Sequence, residues 1–320
     1  MDDQTALAQL DEKLSAHHMR GQWKSEAFLT AAINGPRPAG VPALWKWAEV
    51  MELLGDAERA FPESQQARRS LIFQNPGLPR GTTHTINMGI QMIVPGEVAW
   101  AHRHSIAALR FIIEGDSELT TIVDGQHCVM EEGDLVLTPN WAWHDHHNHS
   151  SRRALWLDVL DVPLVLSLNQ TFHQPAEGHD QPEAPTERQV PELRFRRSDA
   201  EARLMASPVG DGLGQVYEYV NPITGGPTLP TLMCSLIRLP AGFSGRTLRN
   251  TASSVWFVVR GAGVTEVGDT SLAWEDRDSF VIPNWAPHRL LNRSKQEDAV
   301  LFSVSDRPAI EALGLFRATA

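Results

Sequence analysis

The sequence has too few cysteines for a disulfide framework or a zinc cluster, and it has no apolar run long enough for a membrane helix. Only two cysteines, Cys128 and Cys234, occur in 320 residues, and neither has another Cys or a His at zinc-site spacing. Each lies inside an apolar run, so we predict two buried thiols rather than a disulfide. No run approaches the roughly 18 apolar residues of a membrane helix, and the N-terminal residues do not resemble a signal peptide. We therefore expect a cytoplasmic protein with no membrane partner.

Positive charge is also scarce, with 28 basic against 39 acidic residues and a formal net charge of −11. Nucleic acid is excluded as a partner, because phosphate binding needs a basic surface. An anionic small ligand would have to be attracted by a few local arginines. The apolar fraction of 42% and the charged fraction of 21% are those of a folded globular chain, and the length suits two domains.

The texture of the sequence changes along the chain. Helix-forming residues dominate the start, so we assign residues 1–80 to an N-terminal helical extension. Short β-rich runs separated by turn residues follow in 81–173, and again in 206–320 after a linker, 174–205, that is rich in Pro, Glu and Arg. Two segments repeat, since Gly133–Asn148 parallels Asp278–Asn292. The sequence thus predicts an all-β-dominated chain with two copies of one barrel.

Three histidines of the first copy form the strongest candidate site. Side chains alternate along a strand, so His102 and His104 point to one face and Arg103 to the other. His144 could approach them from a neighbouring strand of a closed barrel. Three neutral imidazoles with open positions suit Zn, Fe or Mn. The tryptophans beside His144, Trp141 and Trp143, are expected to pack against the barrel.

The spacing of this segment resembles the paired cupin motifs, with Gly96, His102 and His104 in the first motif, then Gly133, Pro139, His144 and Asn148 in the second. The runs AHRHSIAALRFIIEG and MEEGDLVLTPNWAWHDHHN are further similar to the gentisate 1,2-dioxygenases and their salicylate and 1-hydroxy-2-naphthoate relatives. This likeness spans the whole chain. It implies a bicupin fold and, as in relatives, a homotetramer.

The usual cupin glutamate ligand is missing, because its region reads Ala108, Leu109, Arg110. The resemblance accordingly implies Fe(II) held by three histidines, with open positions for a bidentate substrate and O2. It also implies that the substrate is a small aromatic hydroxy acid, chelated through adjacent carboxylate and hydroxyl groups. Cleavage would fall between the ring carbons that bear them, and both oxygen atoms of O2 would enter the product.

Other site residues are predicted around these ligands. By the period of two, Arg110 shares the face of His104 and could bind a carboxylate, and His146 shares the face of His144 and could bind the hydroxyl or accept a proton. The remaining candidates come from the resemblance. Gln91 and Asp158 match residues that line the pocket in the family, and Asp158 could orient His146 or a ring substituent. The resemblance also implies a second cation at Arg68 or Arg69, and it places Asn87 where several relatives have an aromatic residue.

The second copy places Leu248 and Asn250 where His102 and His104 stand, and retains only His288. We therefore expect one iron per chain. Gentisate is the first substrate expectation, with 5-substituted salicylates such as 5-nitrosalicylate, salicylate or 1-hydroxy-2-naphthoate as alternatives. A non-oxidative Zn or Mn cupin isomerase or hydrolase, and a binding or storage cupin, are the alternatives from other classes.

Overall fold

The computed structural model describes residues 3–25, 30–33, 35–61, 69–181 and 193–319. It divides the chain into two compact units, 1–37 and 38–320, and the second contains both β-rich regions. No helix of the described residues is long and apolar enough to cross a membrane. The described helices are α1 Asp3–Ala16, α2 Trp47–Ala60, α3 Val162–Ser167, α4 Arg197–Ala206 and α5 Arg307–Ala312, with short 3-10 turns at Gln22–Ser25 and Glu177–His179.

The first half contains twelve described strands. They are β1 Ala43–Trp45, β2 Arg69–Ile72, β3 Asn87–Ile93, β4 Val98–His104, β5 Ala108–Glu114, β6 Leu119–Val123, β7 Gln126–Val129, β8 Leu135–Thr138, β9 His144–Asn148, β10 Ala154–Leu160, β11 His173–Pro175 and β12 Arg194–Phe195. Eleven of these strands form the first barrel. One sheet has the order β12-β8-β5-β10-β3-β2 and the other has the order β11-β4-β9-β6-β7.

The second half repeats this plan. Its strands are β13 Val209–Gly210, β14 Gly214–Glu218, β15 Met233–Leu239, β16 Arg249–Asn250, β17 Ser254–Arg260, β18 Gly263–Val267, β19 Thr270–Trp274, β20 Ser279–Ile282, β21 His288–Leu291, β22 Ala299–Ser305 and β23 Ala318–Thr319. The large sheet has the order β1-β20-β17-β22-β15-β14-β13, and β19-β18-β21 and β16-β23 form two smaller sheets. The predicted fold of two barrels is confirmed.

The regions outside the two barrels are less purely helical or irregular than predicted. Within residues 1–80, β1 pairs with β20 of the second barrel and β2 pairs with β3 of the first. Within residues 174–205, β11 continues the sheet of β4, and β12 pairs with β8. The exact domain limits stay predictions, but both connecting regions contribute strands to the barrels.

The large sheets of the two barrels share one apolar core. Strands β5 and β17, ALRFIIE and SVWFVVR, are buried along most of their length, which accounts for their nearly continuous apolar sequences. Phe111 of β5 stacks on Phe302 of β22, with ring centroids 4.4 Å apart, and also contacts Phe257 of β17. Cys128 and Cys234 are buried free thiols, as predicted, and burial raises the pKa of Cys128 to about 11.

Candidate metal centre

The three predicted histidine ligands converge inside the first barrel. His102 and His104 lie on β4, and the register pairs His102 with His144 of the adjacent strand β9. Ring nitrogens of the three side chains lie within 4.8 Å of one another. Among the described residues, these three histidines form the one group of His, Cys, Asp or Glu side chains close enough together to hold a metal.

The hydrogen bonds of these rings fix which nitrogen is available. Each Nδ1 lies within hydrogen-bond distance of a backbone carbonyl oxygen. The distance is 2.9 Å from His102 to Trp100 O, 2.8 Å from His104 to Ile106 O and 3.0 Å from His144 to Ala142 O. A carbonyl oxygen can only accept, so Nδ1 carries the proton and the lone pair is left on Nε2.

The electrostatics of the rings also fit a metal cation. Burial lowers the pKa of His104 to about 4, and it lowers the pKa values of His102 and His144 as well. The imidazoles are thus neutral near pH 7, the form that binds a metal. Nε2 of His144 is buried without a hydrogen-bond partner among the described residues. Such an atom is costly to bury alone, and a bound cation would satisfy it.

Arg110 lies in the interior of the first barrel, as predicted, but the prediction that it shares a strand with His104 is wrong, because a turn separates β4, which ends at His104, from β5, which begins at Ala108. Arg110 belongs to β5, is 3% exposed, and donates from one terminal nitrogen to Oγ1 of Thr138 at 2.5 Å. Its Nε lies 3.7 Å from Oδ1 of Asp158 on β10, a charge contact without a hydrogen bond. Burial raises the pKa of Asp158 and the Arg110 charge opposes that rise. After burial, the positive charge of the guanidinium also contributes to the lowered pKa values of His102, His104 and His144.

His146 is held by a residue that sequence reasoning missed. It is 2% exposed, and its Nδ1 lies 2.7 Å from Oγ1 of Thr121, the residue opposite it on β6. Its ring centroid is 6.0 Å from that of His144. Burial lowers the pKa of His146 well below its ordinary value, so this ring too is neutral. The period of two along β6 placed Thr121 on the inner face, but only the register of β6 with β9 identifies its partner.

Gln91 and Asn87 line the same sheet face as Arg110. Strand β3 pairs with β10 so that Gly89 lies opposite Asp158, and residues two positions away on either side share its face. Gln91 is 8% exposed, and the side-chain oxygen of Asn87 is buried without a hydrogen-bond partner among the described residues. Both positions suit the predicted pocket wall, and Asn87 makes that wall polar.

The prediction of a second cation at Arg69 is not supported. Arg69 lies on β2 opposite Met92, which points to the other face of β3 from Gln91. Its guanidinium makes a paired contact with the Glu97 carboxylate, with one N–O distance of 2.7 Å. Arg69 thus forms an ion pair on the face of the sheet opposite to that of Gln91. Its neighbour Arg68, the other candidate, lies outside the described residues.

Arg103 points outward between the two histidines, as the alternation predicts. Its guanidinium lies 4.5 Å from the Trp141 ring and 4.6 Å from the Trp143 ring. It also donates two hydrogen bonds to the side-chain oxygen of Gln174 on β11. These tryptophans therefore pack on the outside of the barrel, as expected, and help to hold β11 against β4.

A second residue missed from the sequence, His173, enters through β11. It is opposite His104 in register, and its ring centroid is 5.5 Å from that of His102. No motif marks it, because its position depends on the return of the chain after α3. A cavity of about 550 Å³ opens here, lined by Trp100, Ala101, His102, His173, Pro175, Ala176 and His179.

Comparison with known proteins agrees with this fold and centre. The cupin domain family matches residues 89–160 and 235–305, one segment in each barrel. The chain is 38% identical to a 1-hydroxy-2-naphthoate 1,2-dioxygenase of Nocardioides sp. strain KP7, over 97% of this chain and 86% of that protein. It is 36% identical to a 5-aminosalicylate 1,2-dioxygenase of Comamonas sp., over 98% of this chain and 90% of the relative.

A solved structure is similar over the full length. A salicylate 1,2-dioxygenase of Pseudoaminobacter salicylatoxidans, solved as an adduct with gentisate, superposes with a TM-score of 0.88 at 28% identity. The match covers 100% of this chain and 95% of that chain.

Proposed function

This chain belongs to the family of ring-cleaving 1,2-dioxygenases that includes the gentisate, salicylate and 1-hydroxy-2-naphthoate enzymes. On that premise we propose that it opens the ring of an ortho-hydroxybenzoate, gentisate or another 5-substituted salicylate, with Fe(II) held by His102, His104 and His144. The observation that carries this proposal is the convergence of three neutral imidazoles within 4.8 Å, with no carboxylate in the group. A three-histidine set leaves more open positions than one that adds a carboxylate.

Fe(II) bound there would supply adjacent positions for the two chelating oxygens of the substrate and for O2, and a path for electrons from ring to oxygen. The protein supplies the rest. His144 is buried and His102 and His104 are half-buried, and the carbonyl contacts of the three Nδ1 atoms hold the rings in one orientation. The substrate and O2 thereby meet in a fixed geometry rather than by collision.

Arg110 is the group that answers the negative charge of the substrate. The chain as a whole is acidic, so a benzoate needs a local cation, and this guanidinium is buried inside the barrel that holds the three histidines. Oδ1 of Asp158 lies 3.7 Å from Nε of Arg110 and balances part of its charge. We assign Arg110 to the substrate carboxylate or to an oxygen of O2, with Asp158 as the residue that orients it.

His146 is proposed to take the proton of the substrate hydroxyl or to hydrogen-bond it. The Thr121 hydroxyl donates to Sδ of Met130 at 2.9 Å, so it accepts from Nδ1–H of His146, and in the neutral ring Nε2 is left as an acceptor. Gln91 and Asn87 would contact the far part of the ring, where the substituent that distinguishes one hydroxybenzoate from another is placed.

A bicyclic substrate is the second candidate, and a specific observation favours it. The 1-hydroxy-2-naphthoate enzyme of Nocardioides is 38% identical over nearly the whole chain. The cavity of about 550 Å³ beside His102 has the size of a site for a small organic ligand. The same carboxylate and hydroxyl groups would bind, and the second ring would extend toward Gln91 or His173.

The test is O2 uptake by protein purified without oxygen and loaded with Fe(II). Gentisate, salicylate, 5-nitrosalicylate, 5-aminosalicylate and 1-hydroxy-2-naphthoate are offered separately, and the ring-opened product is followed by its ultraviolet absorbance. We expect one O2 consumed per substrate with at least one of them, and none with Zn(II) in place of iron. Turnover by the Zn(II) protein without O2 would instead indicate a non-oxidative cupin, and binding without turnover by either form would indicate a binding protein.

One iron per chain, a homotetramer and a cytoplasmic location complete the proposal. The iron count is supported by Leu248 and Asn250 in the second barrel, which cannot replace His102 and His104 as imidazole ligands. Metal analysis against protein concentration tests the count, and sedimentation equilibrium tests the assembly.

A further inference from the structure

The imidazole of His104 is oriented by a peptide group that is itself held from elsewhere. Its Nδ1 donates to the carbonyl of Ile106 at 2.8 Å. The N–H of the same peptide group, that of Ala107, donates to Oδ1 of Asp161 at 2.8 Å. This peptide lies in the turn between β4 and β5, where no ladder of strand hydrogen bonds fixes it.

The carboxylate that holds this peptide is anchored in the other barrel. Asp161 is fully buried at the end of β10, and its Oδ2 accepts from Oγ1 of Thr231 at 2.6 Å. Thr231 lies just before β15 of the second barrel. A continuous chain of hydrogen bonds therefore runs from a metal-binding ring, through one peptide group and one carboxylate, to a residue of the barrel that has no metal site.

We propose that Asp161, held by Thr231, is a positioning residue for His104, and that the second barrel is in this way part of the metal centre. The inference rests on the proposed metal site. A histidine that binds a metal commonly donates its other N–H to a carboxylate or carbonyl, which fixes the ring and raises its basicity. Here a carbonyl receives the proton, and the carboxylate acts one peptide further away.

A second ligand of the same centre is held in the same way. His144 donates from Nδ1 to the carbonyl of Ala142, and the N–H of that peptide group, belonging to Trp143, donates to Oδ1 of Asp124 at 2.9 Å. At the matching place in the second barrel, His288 bonds the Ala286 carbonyl, but the next residue is Pro287, which has no N–H. The carboxylate contact is thus absent where the metal site is absent.

The internal repeat provides a matched control. In the second barrel, Asp306 takes the place of Asp161: its Oδ1 accepts from the N–H of Ser253 at 2.7 Å, and its Oδ2 accepts from Oγ1 of Thr85, in the first barrel, at 2.6 Å. The two contacts join the barrels in the same way. However, the turn held by Asp306 follows Asn250 rather than a histidine, so it orients no metal ligand.

The experiment compares Thr231→Val with Thr85→Val, because each removes one hydroxyl contact of 2.6 Å between the barrels. Co(II), which can be bound without redox chemistry, is titrated into metal-free protein against a competing chelator. We expect Thr231→Val to weaken Co(II) binding by about 3- to 10-fold, less than the roughly 10- to 100-fold cost of losing a direct partner of a ligand. Thr85→Val should leave Co(II) affinity unchanged, and Thr231→Ser should restore it.

A spectroscopic readout separates positioning from general loosening. In the Co(II) protein the three Nδ1–H protons give shifted resonances, and in Thr231→Val one of the three should exchange faster with water. Melting temperatures should fall in both valine variants, and at least as far in Thr85→Val, because the Thr85 hydroxyl also contacts Oγ1 of Thr83 at 3.0 Å. Equal Co(II) affinities and unchanged proton exchange in the two variants would overturn the inference while leaving the metal site intact. Failure of the unaltered protein to bind Co(II) would overturn the metal proposal itself, and the inference with it.

Discussion

The two barrels have similar backbone structures and differ in the side chains that fill their interiors. In the first, His102 lies opposite His144, and in the second, Leu248 lies opposite His288 in an equivalent bridge. The correspondence extends to a local feature, since Trp141 and Trp285 both adopt a left-handed backbone conformation, with φ of 64° and 57°. The backbone around the candidate metal centre thus also forms in the second barrel, where two of the three histidines are replaced. The difference between the two barrels at this place is in the side chains.

The interior of the second barrel differs from that of the first at the positions of Arg110 and His146. By register, Trp256 takes the place of Arg110, and Leu290 takes the place of His146. Trp256 stacks on Phe280 with ring centroids 5.6 Å apart, inside one apolar cluster that fills the second barrel. An apolar filling is the stable choice for a closed barrel, because a buried charge without a full set of partners is costly. The polar interior of the first barrel is therefore explained by what it binds.

The largest effect is expected from replacing two metal ligands of the first barrel with the residues that stand at the same positions in the second barrel. The double variant His102→Leu, His104→Asn should lose metal and reduce ring cleavage by more than about 100-fold, the upper end of the cost of losing one indirect partner. The fold should persist, because the second barrel is built with Leu and Asn at these positions. Metal content, O2 uptake and the circular dichroism melting curve measure the three properties.

The reciprocal change is the control for that variant. Leu248→His, Asn250→His completes a triad with His288, but Trp256 and Leu290 still fill the interior, so no second activity should appear. Ring cleavage that survived in the metal-depleted first variant would contradict the assignment of the site.

A smaller effect is expected from removing the interior cation. Arg110→Met, combined with Asp158→Asn so that no unpaired carboxylate is left buried, should keep the metal and lower kcat/KM by about 10²- to 10³-fold. The reason is that the substrate carboxylate would then be buried without its partner cation, a loss that costs roughly 2–5 kcal/mol. Steady-state kinetics and metal analysis test this together. Arg238→Met removes a paired arginine of the second barrel and should leave kcat/KM near its original value.

The contrast between the barrels also explains what the sequence could predict. The histidine triad and His146 follow from short motifs and from alternation along single strands, so they could be placed without a structure. Arg110 lies in the interior as predicted, but alternation from His104 does not explain its position, because a turn separates the two strands. The loss of ligands at Leu248 and Asn250 follows from the internal repeat alone. These predictions need only local geometry and one alignment of the chain with itself.

The remaining features depend on contacts between distant segments. Thr121 meets His146 through the register of two strands, and Thr231 meets Asp161 across the barrels, 70 residues apart in sequence. His173 reaches the centre on an edge strand within a region of little pattern. Arg69 was predicted in the pocket, but the partner that occupies it, Glu97, lies 28 residues along the chain. No periodicity within one strand encodes such pairings.

The smallest effect concerns the carboxylate of the second barrel that matches Asp161. Burial raises the pKa of Asp306 to about 6 from 3.8, so the folded state keeps this proton up to about pH 6 while the unfolded chain releases it near pH 4. Asp306 therefore favours the folded state below about pH 4, and this contribution is lost as the pH rises toward 6. Relative to Asp306→Asn, the original protein should lose roughly 1 to 3 kcal/mol of unfolding free energy between pH 4 and about pH 6.5. Urea denaturation across this range measures the difference, with Asp269→Asn, an exposed carboxylate, as control. Parallel stability curves for the original protein and Asp306→Asn would mean that the hydroxyl of Thr85 and the N–H of Ser253 keep the Asp306 carboxylate charged, so that this carboxylate needs no proton to be buried.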